Sequence, residues 1–190
     1  MDQNFPVRFL MIIAGDEDDA IRNHRLNITR IAPAYYLFRD MPAEVVLASP
    51  GGGFPAITIT PPDHADAHSS AVRTAMLRFQ SDRAAREDIA DTLRLDQIAV
   101  CDFAAAFCVG FSSHIWNDES RGLLPVLHAF LAEKKPVALI DADDLQITAN
   151  DAGRGLLIIG NSDDSPSLAA CAMIRIVKEK LGPRLPPLPD

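Results

Sequence analysis

The sequence has 190 residues, the size of one ordinary domain. Hydrophobic residues make up 48% of it and charged residues 23%, a composition that supports a buried core and excludes a disordered chain. Its 18 basic and 26 acidic residues give a formal net charge of -8 at pH 7, which disfavours binding to nucleic-acid phosphates and to anionic membrane surfaces.

The first half of the chain predicts one β-α-β unit and two peripheral helices. Val7 to Ala14 is almost entirely apolar, which predicts a central strand buried on both faces. Apolar residues at helical spacing predict a helix from Ile28 to Arg39, and Ala43 to Ala48 predicts the second strand. The next forty residues predict short amphipathic helices at Ala71 to Phe79 and Arg86 to Leu93.

The second half continues the alternation of strands and helices. Phe103 to Val109, Val137 to Ile140 and Leu156 to Ile159 predict three apolar strands. A helix is predicted from Leu123 to Glu133, and the last helix is predicted to begin at Ser165 as N-cap, with a proline at its first position. The pattern predicts an α/β, flavodoxin-like fold with an open, mostly parallel sheet of about five to six strands and helices on both faces.

The termini and the apolar runs predict the environment of the protein. We expect one domain over residues 1–182 and a proline-rich, extended tail over residues 183–190. No apolar run reaches the ~18 residues of a membrane span, and the first residues lack the basic region of a signal peptide. We therefore expect a cytoplasmic protein, without cofactor and with neither a membrane nor a nucleic acid as partner.

The three cysteines, Cys101, Cys108 and Cys171, predict reduced thiols. Their spacing fits neither a zinc ribbon nor a disulfide framework. A redox-sensing role for Cys101 or Cys108 is a weaker alternative. Cys108 lies inside an apolar run, where a thiol behaves as a small hydrophobe.

Two stretches of the sequence resemble a known superfamily. Ala34 to Asp40 followed by Ala43 to Gly52, with its Ala-Ser-Pro-Gly-Gly turn, is similar to the second β-α unit of the ThiJ/PfpI superfamily, and Lys135-Pro136-Val137-Ala138 follows at the matching distance. These proteins are class I glutamine-amidotransferase-like, and the most similar branch contains chaperone, deglycase and glyoxalase-type members. The resemblance covers roughly Ile28 to Gln146.

The chain departs from this superfamily at the positions that carry its chemistry. Where the family has Cys-His-Gly at a sharp elbow, this chain has Asp141, Ala142 and Asp143. Where the family has a glutamate beside the nucleophile, this chain has Arg30. A thiol beside a carboxylic acid has thus become a carboxylate beside a guanidinium, which predicts that Asp141 and Arg30 meet in one pocket.

The loop that serves the oxyanion in the family is also altered. Only Gly110 of the family's Gly-Gly-His-Gly is retained, and Phe111 follows it. The resemblance therefore implies a degenerate member without the cysteine nucleophile, acting as a binding, chaperone-like or regulatory protein. The alternative is an enzyme with a repurposed site, a hydrolase, amidase, glyoxalase-like or metal- or phosphoryl-dependent enzyme that uses Asp141 and Arg30.

Further candidate binding residues follow the predicted strands. Asp16 and Asp18 leave the first strand and Asp143 leaves the fourth, so all three are expected at the carboxyl edge, where doubly wound folds bind ligands. They could hold magnesium, or they could be solvated loop acids, and we assign no metal site. His114 and Trp116 lie in the loop that resembles the family's site loop and could line the same pocket.

A possible zinc site and the oligomeric state are two further points on which the sequence bears. His64 and His68 have the spacing of two zinc ligands on one helical face, but a third ligand is missing nearby and the surroundings are proline-rich. The resemblance also implies a homodimer, with a small molecule or a protein as the possible ligand at the carboxyl edge.

Overall fold

The computed structural model describes residues 7–14, 26–59, 69–110, 123–141 and 156–181. The strands are β1 (Val7–Ile13), β2 (Leu26–Asn27), β3 (Ala43–Ser49), β4 (Ile57–Thr58), β5 (Leu93–Arg94), β6 (Ala105–Val109), β7 (Pro136–Ile140) and β8 (Leu156–Gly160). The helices are α1 (Ile28–Arg39), α2 (Ser70–Ser81), α3 (Arg83–Ala90), α4 (Leu123–Ala132) and α5 (Ser165–Leu181). None of the helices in these ranges combines the length and the hydropathy of a membrane span.

Six strands form one parallel sheet in the order β5-β3-β1-β6-β7-β8, and β2 pairs with β4 in a separate two-stranded ladder. The chain runs outward from β1 to β3 and β5 on one side, then returns to the other side of β1 for β6, β7 and β8. The strand order reverses between β1 and β6, so the carboxyl ends of these two strands open the crevice in which such folds bind ligands. The predicted flavodoxin-like fold is confirmed.

The buried core lies on both faces of β1, because its side chains alternate between two hydrophobic clusters. Phe9, Met11 and Ile13 pack with residues of α1, α2, α3 and α5 on one face. Leu10 and Ile12 pack with residues of α4 on the other. All five side chains are fully buried. The central position that the apolar run predicts for the first strand is therefore confirmed, and helices cover both faces of the sheet.

Of two local predictions at the end of the chain, one is confirmed and one is wrong. The predicted strand Leu156 to Ile159 is present as β8, and its Leu156 and Ile159 are 40% and 49% exposed because β8 is the last strand of the described sheet. Ser165 is not the N-cap, since α5 begins at Ser165 itself and its hydroxyl accepts a 2.9 Å hydrogen bond from the Ser162 N–H. Gly160 allows this turn, because a Cβ there would lie 2.6 Å from the Ser165 Cβ.

Helix α1 is tied to α3 through a buried phenol. The Tyr35 hydroxyl donates a 2.7 Å hydrogen bond to the Asp88 carboxylate, and Arg39 donates both to that hydroxyl and, over 2.7 Å, to Asp88. Burial, together with the negative charge of Asp88, raises the pKa of Tyr35 far above its ordinary value. The neutral phenol is thus part of the packing between these two helices.

Tyr36 and Asp82 make the matching link to α2 and to the start of α3. The Tyr36 hydroxyl donates to Asp82 over 3.2 Å, and burial raises the pKa of Tyr36 to about 12. Asp82 caps α3 by accepting from the Ala85 N–H over 3.1 Å, which lowers the pKa of Asp82. The Arg78 guanidinium lies 4.0 Å from the centre of the Tyr36 ring and donates two 2.7 Å hydrogen bonds to Asp40.

These contacts predict an unusual alkaline titration. Tyr35 and Tyr36 are the two tyrosines of the chain, so all tyrosine absorbance reports on this cluster. We expect little phenolate absorbance at 295 nm in the native protein at pH 10, where the urea-unfolded chain is half ionised, and a step near pH 12 that Tyr36→Phe removes.

The raised pKa values of the two tyrosines also predict how the free energy of unfolding changes with pH. Because both folded pKa values lie above the unfolded value, the stability from these phenols is fully present below pH 10 and is lost as the pH rises through the folded values. Native phenolate absorbance that already follows the unfolded curve would contradict the described packing.

Candidate functional site

Asp141 occupies a sharp turn at the carboxyl end of β7. Its backbone has φ of +62°, in the left-handed region that few residues other than glycine adopt, although aspartate tolerates it. Its N–H donates a 3.1 Å hydrogen bond to the Gly160 carbonyl at the end of β8. This backbone turns away from the strand direction directly after the last paired residue, and it has the form expected of an elbow that presents one side chain at the edge of the sheet.

Arg30 reaches Asp141 from the first turn of α1. That turn is fixed by Asn27, whose side chain accepts a 3.0 Å hydrogen bond from the Thr29 N–H as the N-cap. The Arg30 Nε donates to Asp141 Oδ2 over 2.9 Å, and Nη2 donates to Oδ1, so the two side chains form a bidentate ion pair. The Arg30 side chain is 14% exposed and that of Asp141 is 32% exposed, which makes this pair more buried than the other ion pairs of the described residues.

The remaining nitrogen of Arg30 binds the turn that leads into α5. Nη1 donates a 2.9 Å hydrogen bond to the Ser162 carbonyl and lies 3.6 Å from Asp163 Oδ1. This turn is itself held by Ser165, whose hydroxyl accepts from the Ser162 N–H and lies 2.9 Å from the Ser162 hydroxyl. One guanidinium thus connects α1, the elbow after β7 and the turn after β8.

The ion pair limits the chemistry open to Asp141. Each carboxylate oxygen already accepts a hydrogen bond from Arg30, so the negative charge of Asp141 is balanced before any ligand arrives, and only the remaining lone pairs of the carboxylate are open to one. Cys108 is not available as a nucleophile at this edge, because it lies inside β6 and its complete burial raises the pKa of the thiol well above its ordinary value. The described part of the site therefore holds a closed ion pair and no ready nucleophile.

Gly110 lies beside the elbow on the neighbouring strand. Val109 of β6 pairs with Ile140 of β7, so Gly110 and Asp141 are the first residues past adjacent paired positions. Gly110 has φ of +87°, a backbone conformation that favours glycine. The structure therefore brings Gly110, Asp141 and Arg30 to one edge of the sheet.

Most other predicted site residues lie outside the described residues. They are Asp16, Asp18, Phe111, His114, Trp116, Ala142 and Asp143, together with His64 and His68. Within the described ranges, no group of three or more histidine, cysteine, aspartate or glutamate residues is placed to hold a metal ion.

Ser162 and Asp163 both contact Arg30, but neither was predicted from the sequence as a site residue. Both residues follow β8 at the same carboxyl edge as Asp141, which is the signal that could have placed them in the site. The carbonyl of Ser162 is a backbone group, however, and no residue type in the sequence identifies a backbone acceptor in advance.

The comparisons with known proteins show the fold. No protein-family model matches the sequence, and no curated protein sequence matches it. Among solved structures, a 24-kDa rapid encystment protein from Francisella tularensis is similar with a TM-score of 0.59 and 11% identity, covering 90% of this chain and 99% of that one. A ThiJ/PfpI domain protein from Brachyspira murdochii is similar with a TM-score of 0.56 and 13% identity, covering 90% and 96%. Glyoxalase III from Candida albicans is similar with a TM-score of 0.51 and 11% identity, covering 89% and 96%.

The described geometry predicts a strong energetic coupling between Arg30 and Asp141. Asp141→Asn keeps the side-chain shape and an amide that tolerates the left-handed region, so its cost reports the lost charge. We expect it to lower the free energy of unfolding by about 1–3 kcal/mol, measured by urea denaturation, because Arg30 is left poorly paired.

The control for this prediction is a second bidentate pair, Arg78 with Asp40, whose side chains are 44% and 54% exposed. Asp40→Asn should cost less than about 1 kcal/mol. Double-mutant cycles with Arg→Gln and Asp→Asn should give a coupling energy above about 1 kcal/mol for Arg30 and Asp141 and less for the control. Simple additivity at Arg30 and Asp141 would contradict their contact.

Burial also predicts how the three cysteines react. Cys101 and Cys171 are exposed and Cys108 is buried, and all three are free thiols. We expect Ellman's reagent to titrate two thiols in the native protein and the third only after unfolding, with Cys101→Ser lowering the native count to one. Rapid reaction of a third thiol in the native protein would contradict the burial of Cys108 and would support a redox role for it.

Proposed function

We propose that the chain is a degenerate member of the ThiJ/PfpI superfamily that lacks the cysteine chemistry and acts as a non-catalytic binding, chaperone-like or regulatory protein. The observation that supports this most directly is the bidentate ion pair of Arg30 with Asp141 at the elbow after β7. The structural likeness to ThiJ/PfpI domain proteins and to glyoxalase III supports the superfamily.

The two replacements are chemically linked, which argues for a rebuilt site. Aspartate at the cysteine position would be repelled by the family's glutamate, and arginine at the glutamate position would have no counter-charge beside a neutral thiol. With both replaced, the two side chains satisfy one another through two nearly parallel hydrogen bonds. The pair occupies the place where the family's nucleophile would attack a substrate.

The assembly and the location of the protein belong to the same proposal. We take it to be a cytoplasmic homodimer that binds a small molecule or a protein at the carboxyl edge of the sheet. We expect neither a membrane nor a nucleic acid as partner, because the net charge is -8.

A second candidate function is an enzyme with a repurposed site. The observation that favours it is the partial exposure of Asp141, whose side chain remains 32% exposed despite the ion pair. An elbow also presents its side chain to whatever occupies the crevice. In this alternative Asp141 acts as a base, a metal ligand or a phosphoryl acceptor, and Arg30 assists it by charge.

Turnover assays with glyoxals, amides and peptides separate the two functions. For the wild-type protein we expect no turnover that depends on Asp141, because the carboxylate is neutralised and the thiol is missing. The matched variants are Asp141→Asn and Asp40→Asn, the latter removing a comparable but exposed ion pair. Turnover that Asp141→Asn abolishes and Asp40→Asn leaves intact would overturn the non-catalytic function.

Magnesium and manganese provide a test of the metal-dependent version. A cation held at this edge should raise the melting temperature of the wild-type protein, and Asp141→Asn should remove the effect. We expect no such shift in either protein. A shift confined to the wild type would instead favour the repurposed enzyme.

A further inference from the structure

We propose that Arg30 forms a binding site for small carboxylate ligands, and that Asp141 is its built-in occupant. This deepens the proposed function, on which it rests, because it names a ligand class for the same site. In the wild-type protein the Asp141 carboxylate fills the position that a ligand carboxylate takes when the side chain withdraws.

Arg30 is oriented by a contact that does not involve Asp141. Its Nη1 donates to the Ser162 carbonyl over 2.9 Å, whereas the edge formed by Nε and Nη2 faces Asp141. The guanidinium therefore keeps its direction if Asp141 leaves, and the Nε and Nη2 edge then presents two parallel donors. This fork matches the two oxygens of a carboxylate.

The Asp141 side chain is held in the site by its two hydrogen bonds from Arg30. Its backbone, at φ of +62°, is fixed separately by the hydrogen bond from its N–H to the Gly160 carbonyl, and aspartate tolerates that conformation. A free carboxylate offers Arg30 the same two oxygens, so it can compete with the Asp141 side chain for the Nε and Nη2 edge. Because the Asp141 side chain is 32% exposed, a small anion can approach it from solvent.

Asp163 and the Arg78–Asp40 pair show how neighbouring charge and exposure affect anion binding at Arg30. Asp163 lies 3.6 Å from Nη1 and is 72% exposed, so its negative charge weakens anion binding but does not cover the Nε and Nη2 edge. Arg78 makes an equally bidentate contact with Asp40, yet it is 44% exposed and lies over the Tyr36 ring. The combination of burial and a second anchor is therefore specific to Arg30 when these two bidentate pairs are compared.

The test removes the built-in occupant and supplies formate in its place. Asp141→Gly empties the Nε and Nη2 edge and accepts the backbone conformation without strain. The variant is unfolded by urea with formate or with chloride at equal ionic strength. We expect formate alone to stabilise it and the effect to saturate, with the folding equilibrium constant rising about tenfold when formate is about ten times its dissociation constant.

The control variants locate the effect on Arg30. Adding Arg30→Gln to Asp141→Gly should abolish the formate response, and Asp40→Gly should respond equally to formate and chloride. In the wild type the formate response should be weaker than in Asp141→Gly, because Asp141 competes. If Asp141→Gly does not fold, Asp141→Ser opens the same edge with a shorter side chain and is measured in its place.

The outcomes separate this proposal from the proposed function. Equal responses to formate and chloride in the Asp141 variant, or a formate response that persists without Arg30, would overturn the carboxylate site and leave the non-catalytic function standing. Turnover by the wild type that depends on Asp141 would overturn the non-catalytic function, while the formate response of the variant would still support the carboxylate site.

Discussion

The Arg30 guanidinium joins parts of the chain that are far apart in sequence. Asp141 is 111 positions away and Ser162 is 132 positions away, yet both accept hydrogen bonds from the same side chain. The carboxyl edge of the sheet is therefore fixed by one cation that sits between helix α1, the elbow after β7 and the turn before α5. A guanidinium suits this position because it carries five donors in one plane.

This interaction depends on the parallel sheet beneath it. The β6 and β7 strands end in register, and β8 continues that register, so that the elbow and the turn before α5 open at the same edge. Packing against Phe9, Met11 and Ile13 of β1 holds α1 and α5 on one face of the sheet, which places Arg30 within reach of both segments. The tyrosine contacts of α1 with α2 and α3 anchor the opposite end of the same helix.

The fold does not by itself identify the chemistry of this site. Solved structures with this fold include a ThiJ/PfpI domain protein and a glyoxalase, but at 11% to 13% identity their likeness concerns the arrangement of strands and helices. In this chain the elbow carries a carboxylate that is already paired. The chemistry of the site is therefore a property of Arg30 and Asp141, and our proposals rest on that pair.

The sequence by itself determined the order of the five longer strands and of the helices, and it identified the central strand, because a run of apolar residues such as Val7 to Ala14 is typical of a strand buried on both faces. The two-residue strands β2, β4 and β5 were not predicted. The sequence also indicated, through the family resemblance, that Arg30 and Asp141 would meet. Tertiary structure alone decided that the Ser162 carbonyl anchors Arg30, that Ser165 holds a turn instead of capping its helix, and that two side chains of β8 remain exposed. Backbone acceptors and edge positions carry no residue signature, since they arise from which segments end at the same place in space.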